Sequence, residues 1–243
     1  PATPNDAFRA AGNPVFTNPM IDFQRKNQCK KYQYGVFVDD EFQEVDRTFN
    51  CWQVKKLKEV DHEYCIGVDT MEARLSDVDN PKSQLDCDAA AVMDRMTGEV
   101  VAIWHGRGNQ KDLAFQVLWS ATHYNDAFVA PEIPNSMVLL NVLKEKGYDN
   151  VYNRQIHDQR LTVEDSENLG WRTDMITRKW LVDDFLTALR DVRITVSFLP
   201  VIDEMDTFIR DKNGKAIHRP GKHDDLLFSI MIALQVHLRC PLT

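Results

Sequence analysis

The feature that most constrains this chain is a change of hydrophobic period that begins near residue 64. Tyr64-Cys65-Ile66-Gly67-Val68-Asp69 is a short uncharged run that ends on a carboxylate, the pattern of a buried strand. Residues 89–96 and 100–104 are two further β-rich runs joined by Thr97-Gly98, a hairpin signal. The period becomes helical over residues 112–124, where Leu113, Val117, Leu118 and Ala121 share one face. Ala127-Phe128-Val129-Ala130-Pro131-Glu132 is a second apolar strand ending on a carboxylate, and residues 136–146 form a helix closed by Gly147. A short strand at Val151-Tyr152, an irregular polar stretch over 156–169, a helix over 175–190 and an alternating strand over 193–198 follow. Asn213-Gly214 marks a turn between residues 205–209 and 216–217. A final helix opens at Asp224, with Leu227, Ile230, Met231, Leu234 and Leu238 at three- and four-residue spacing. Strands joined by hairpins pair antiparallel, whereas strands separated by helices add in parallel. The expected fold class is α/β: a mixed β-sheet, three antiparallel strands then parallel strands, with helices on both faces.

Residues 1–58 follow no such pattern. Residues 32–38 and 49–57 are expected to form a small hairpin around Asp39-Asp40-Glu41, and no hydrophobic period here is long enough for a separate core. The expected division is a linker or tail over 1–58 and one domain over 59–243. The chain opens on Pro1 rather than Met, as an excised fragment or a processed product would. With 243 residues, 43% apolar and 27% charged, the chain can bury a sizeable core. No apolar run approaches the roughly 18 residues that cross a membrane, and no signal peptide is recognisable, so no membrane partner is expected. The five cysteines are odd in number and lack CxxC spacing, which predicts reduced thiols. Cys65 and Cys87 have no His or basic neighbour in sequence and read as packing residues. A net charge of −8 disfavours nucleic-acid binding over the whole surface and leaves room for a local basic groove.

The chemistry concentrates on four acids. In the expected sheet the strand ending at Asp69 is central and the strand ending at Glu132 is its parallel neighbour, so both carboxylates finish at the carboxyl edge. The last helix packs across that sheet and is expected to bring Asp224 and Asp225 to the same edge. An Asp at a helix start is ordinarily a cap that also complements the helix dipole, and capping and catalysis are compatible here. Carboxylates gathered without Lys or Arg partners repel one another, and divalent cations relieve that repulsion. An all-oxygen shell suits Mg²⁺ or Mn²⁺. Two such ions can activate water and stabilise a leaving oxygen, which is chemistry for phosphodiester hydrolysis.

Ile66-Gly67-Val68-Asp69, Asp88-Ala89-Ala90-Ala91, Glu132-Ile133-Pro134-Asn135, Gly170-Trp171-Arg172-Thr173 and His223-Asp224-Asp225 together resemble the nuclease domain of viral (bacteriophage) large terminase subunits. The resemblance runs from about Cys65 to Leu238 and implies a ribonuclease H-like fold. It implies an endonuclease that cuts concatemeric double-stranded viral DNA during genome packaging. Asp69 then matches the acid that bridges the metals, Glu132 the acid of the second motif, and Asp224 and Asp225 the third. The family often carries a Gly shortly after the second acid, where this chain has Met137. Asp6-Ala7-Phe8-Arg9-Ala10-Ala11-Gly12 and Val15-Phe16 resemble the link that follows the family's packaging ATPase. The implied partners are that ATPase domain, the small terminase subunit and the portal, in the host cell cytoplasm. No Gly-rich phosphate loop ending in Lys-Ser or Lys-Thr occurs, so no ATP hydrolysis is expected of this chain itself.

Around the acids, Asp88 and His223 are candidates for supporting roles, His223 by orienting water or contacting phosphate. Asp77, Asp79 and Asp86 read as a solvated acidic loop. Trp171 reads as a core anchor. Arg172, Arg178 and Lys179 are candidates for phosphate contacts. Lys212, Lys215, Arg219 and Lys222 surround the hairpin before Asp224, either guiding DNA or forming a solvated turn. Two other readings stay open. One is another ribonuclease H-like nuclease, acting on junctions or RNA–DNA hybrids. The other is a non-catalytic docking module of a packaging motor, against which the acids at all three positions count.

Overall fold

A computed structural model describes residues 13–70, 87–154 and 169–242. Its centre is an eight-stranded mixed sheet: β1 (Gln33–Val38), β2 (Glu41–Glu44), β3 (Cys51–Val54), β4 (Tyr64–Asp69), β5 (Asp88–Asp94), β6 (Glu99–Gly106), β7 (Phe128–Ile133) and β8 (Trp171–Arg172). The spatial order is β2-β1-β3-β6-β5-β4-β7-β8. The strands β4, β5 and β6 pair antiparallel, β7 adds parallel to β4, and β8 adds parallel to β7. This is the α/β sheet expected from the order of hairpins and helices.

Helices cover both faces. On one lie α2 (Gln110–His123) and α3 (Met137–Glu145). On the other lie α1 (Asn18–Lys26), α4 (Met175–Arg190), α5 (Leu199–Thr207) and α6 (Asp225–Arg239). Strand parity divides the core between the faces. In β5, Ala89, Ala91 and Met93 face α6, while Ala90 and Val92 face α2. Such small alanines let both helix layers approach a strand that is buried along its whole length. Helix α6 is apolar nearly all round because it is enclosed on every side: it lies across β4 and β5 under α4 and α5.

The depth of α6 is set by Gly67. A Cβ at this position would lie 2.0 Å from the Ser229 carbonyl oxygen and 2.5 Å from the Ala233 nitrogen. Only a residue without a side chain lets the helix backbone come this close to β4. That contact fixes where the N-terminus of α6, with its two acids, meets the carboxyl edge of the sheet.

The first segment differs in detail from expectation. The hairpin forms between β1 and β2 around Asp39 and Asp40, whose φ values of 46° and 68° suit a two-residue turn. Strand β3 pairs with the other side of β1 and with β6, so strands 33–54 belong to the same sheet as β4–β8. Residues 13–26 also pack on the main body. Phe16 is buried against Phe185 and Phe208, and Arg25 of α1 pairs with Asp206 of α5. The alternating run 193–198 forms only a parallel bridge, Thr195 to Glu99, because Pro200 at the first turn starts α5 immediately afterwards. Helix α5 was not visible as a helix in the sequence, where residues 205–209 read as half of a hairpin. The hairpin itself is shorter: β9 (Phe208–Arg210) and β10 (Ala216–His218), turning at Gly214 with φ 80°.

Candidate active site

Register brings the first two acids together. The β4–β7 ladder pairs Val68 with Pro131, so Asp69 and Glu132 are the next residues on two adjacent parallel strands. Their side chains share the α6 face, as Cys65 and Ala130 do. The loops beyond them are tied by a buried hydrogen bond of 2.9 Å between the Thr70 and Ser136 hydroxyls. The Ser136 amide also donates to the Glu132 carbonyl at 2.9 Å. The two strand ends are thereby held as one rim.

The Asp69 and Glu132 carboxyl groups lie close enough to raise the Asp69 pKa through their mutual interaction. Burial holds the Asp69 carboxyl well above the usual carboxylate range. The Glu132 carboxyl adds to this, followed by the charges of Asp225 and Asp224. All four acids expected to meet at this edge therefore act on one another.

Asp224 and Asp225 are held by different means, and neither caps the helix as the sequence suggests. Asp224 occupies the N-cap position, but its side chain makes no capping hydrogen bond. It accepts instead from the Arg178 guanidinium of α4 at 3.3 Å. Asp225 is buried, and its carboxylate accepts from the Cys87 amide at 2.9 Å. The cap comes from outside. Glu204, on α5, accepts the backbone N–H groups of Leu226 at 3.4 Å and Leu227 at 2.8 Å. Burial pushes the Glu204 carboxyl well above its ordinary range; the Leu227 amide opposes this, and the charges of Asp225 and Asp224 add to it. Sequence reading missed Glu204. Its signal was an acid within the helical apolar set Val201, Ile202 and Met205, legible only once residues 199–207 are read as a helix.

Other candidates fall in varied places. His223 lies beside the cluster, its Nδ1 3.8 Å from an Asp225 carboxylate oxygen. Asp88 does not join it. As an even-numbered residue of β5 it points to the α2 face, where it lines a cavity of about 380 Å³ with Arg47, Trp104 and Asp112. Arg178 packs its guanidinium 4.1 Å above the Phe228 ring and donates to the Ala216 carbonyl at 3.3 Å, so it braces the site wall. Lys179 pairs with Asp183 one turn along α4. Arg172 is exposed beside Ile133 on β8, and Trp171 is a buried anchor as expected, with Arg239 stacked on it at 5.3 Å. Exposed Lys215 and Lys222 and half-buried Arg219 line the hairpin and the turn that lead into Asp224. Asp77, Asp79 and Asp86 lie outside the described residues.

The donor set fits hard divalent cations: it is made of oxygens only, and burial, then crowding of like charge, already disfavours ionisation of Asp69. Sheet order, register and the helices on both faces define the class as a ribonuclease H-like fold of the kind found in large terminase nuclease domains. The large terminase nuclease domain of Thermus phage P74-26 matches with a TM-score of 0.59 at 18% identity, over 94% of this chain and 98% of that one. The large terminase nuclease of thermophilic phage G20c with bound magnesium gives 0.58 at 15% identity, over 91% and 96%. The same nuclease with bound cobalt gives 0.57 at 16% identity, over 91% and 96%. No protein-family model and no curated protein sequence matches the chain. Among the described residues no helix is long and apolar enough to cross a membrane.

Proposed function

We propose that this chain is a metal-dependent endodeoxyribonuclease of a viral DNA-packaging terminase, cutting concatemeric double-stranded DNA by hydrolysis of a phosphodiester. The observation that carries this reading is that Asp69 and Glu132 end adjacent parallel strands, with the Asp69 carboxyl held above its ordinary range by burial and by the charges of Glu132, Asp225 and Asp224. The magnesium- and cobalt-bound G20c nucleases share the fold and support a divalent cofactor.

Asp69, Glu132, Asp224 and Asp225 would hold two Mg²⁺ or Mn²⁺ ions. When bound, such ions supply an activated water and stabilisation of the leaving oxygen. The protein's own part is positioning. The Thr70–Ser136 bond fixes the rim that carries Asp69 and Glu132. Arg178 orients Asp224, and the Cys87 amide orients Asp225. Glu204 satisfies the helix N-terminus, so neither Asp is consumed as a cap. Arg172 and the basic hairpin with Lys215, Arg219 and Lys222 would track the DNA backbone, a contact that selects no sequence. The partners in this setting are a packaging ATPase domain, a small terminase subunit and a portal, in the host cytoplasm.

Incubation of supercoiled plasmid with the chain and Mg²⁺ or Mn²⁺ should nick and linearise it, with Asp69→Ala reducing the rate by at least about 100-fold. Parent-like cutting by that variant would overturn the reading. Preferential cutting of junctions or RNA–DNA hybrids would move the substrate class.

A further inference from the structure

The sheet also assembles a cluster of a different chemical kind. Cys87 stands immediately before β5 and His105 lies on β6, and the ladder pairs Ala89 with His105. Cys87 and His105 are thus diagonal neighbours across two antiparallel strands. Both project towards α6, whose first residue is Asp225. The Cys87 sulfur, a ring nitrogen of His105 and an Asp225 carboxylate oxygen all lie within 4.8 Å of one another. His105 Nε2 is buried and has no hydrogen-bond partner among the described residues. A buried imidazole nitrogen left this way is unfavourable unless something occupies it.

The surroundings favour ligation. A neutral imidazole keeps a lone pair that a metal can take. Arg107 Nε donates to the Cys87 sulfur at 3.3 Å, an outer hydrogen bond of the kind that steadies a metal-bound thiolate. Among the described residues, the charged groups that act on the cluster are the Arg107 guanidinium, Asp88 and the acids around Asp225, with His223 beside them. A sulfur, a nitrogen and one carboxylate oxygen form a set that selects Zn²⁺ over Mg²⁺.

We propose that Cys87, His105 and Asp225 bind Zn²⁺, leaving its fourth position to water. Binding replaces the thiol proton by a sulfur–zinc bond and releases that proton to solvent. Asp225 belongs to both this set and the carboxylate cluster. If the nuclease reading holds, zinc captures an acid that the Mg²⁺ site requires, and low zinc inhibits cutting in competition with Mg²⁺.

The test uses the full chain, freed of metal and without thiol reductants, titrated with Zn²⁺ by calorimetry and with Co²⁺ by absorption spectroscopy. The expected result is one zinc equivalent, a sulfur-to-cobalt charge-transfer band, and the d–d bands of a four-coordinate ion. Cys87→Ser should abolish the charge-transfer band, and both Cys87→Ser and His105→Gln should weaken zinc by on the order of 100-fold. Circular dichroism verifies that each variant is folded, and Asp69→Asn should keep the band. Absence of the band in the parent, or zinc affinity unchanged in both variants, would overturn the site. Loss of zinc in Asp69→Asn alone would place the ion in the carboxylate cluster and also overturn it. None of these readouts uses cleavage, so failure of the nuclease reading would be seen separately in the plasmid assay.

Discussion

Glu204 accepts the backbone N–H of Leu227 at 2.8 Å, so the last helix is capped from a neighbouring helix and not by Asp224, its own N-cap residue. The two acids at the helix start are thereby released for other work. Glu204→Ala leaves two amides without an acceptor and should cost about 1–2 kcal/mol in urea unfolding. Glu204→Gln keeps a carbonyl acceptor and should cost less. If Glu204→Ala unfolds at the parent's midpoint, the cap contributes nothing.

Gly67→Ala tests the closeness of α6 to β4. The added methyl would meet helix backbone, which cannot turn aside as a side chain can. A loss of about 1–3 kcal/mol is expected, together with a fall in metal affinity because the helix start carries Asp224 and Asp225. Thermal melts with and without Mg²⁺ measure both effects.

Asp69 predicts a pH dependence of known sign. Its pKa in the folded chain lies above its unfolded value, so the folded state binds the proton more tightly. The stability that Asp69 contributes to the metal-free chain is fully present below the ordinary carboxylate range and is lost as pH rises through the raised value. Asp69→Asn removes that loss and should raise the metal-free Tm at pH 7 by a few degrees while abolishing cutting, a trade of function for stability. Equal metal-free Tm values for parent and variant across pH 4–8 would contradict it.

Arg178 joins α4 to Asp224 by both charge and stacking on Phe228. Arg178→Ala should slow plasmid cutting by about 10–100-fold. Arg178→Lys should recover only part of the rate, because an ammonium cannot stack as a guanidinium does. Full rescue by Lys would mean that charge alone matters.

If Lys215 and Lys222 contact DNA phosphates, their double alanine variant should bind duplexes of any sequence more weakly. The slope of log affinity against log salt should become shallower by about 2. An unchanged slope in a titration followed by fluorescence anisotropy would assign them to a solvated turn.

Much of this protein was legible in its residues. Local period gave the helices over 110–123, 137–145, 175–190 and 225–239 and the central strands within a few residues, because each buries one consistent face or is buried throughout. The order of hairpins and helices gave the antiparallel-then-parallel sheet, and hence the meeting of Asp69 and Glu132 at one edge. What adjacency in sequence cannot express was decided by packing. Strand parity sent Asp88 to the far face. Register placed His105 and Arg107 beside Cys87, which has no such neighbour along the chain. A helix hidden by its mixed residues brought Glu204 to the start of α6. Sequence determined the acids and the order of elements, since those rest on composition and local period. Tertiary structure decided what each acid is bonded to, since a capping bond or an ion pair of this kind is made only between groups that distant segments bring together.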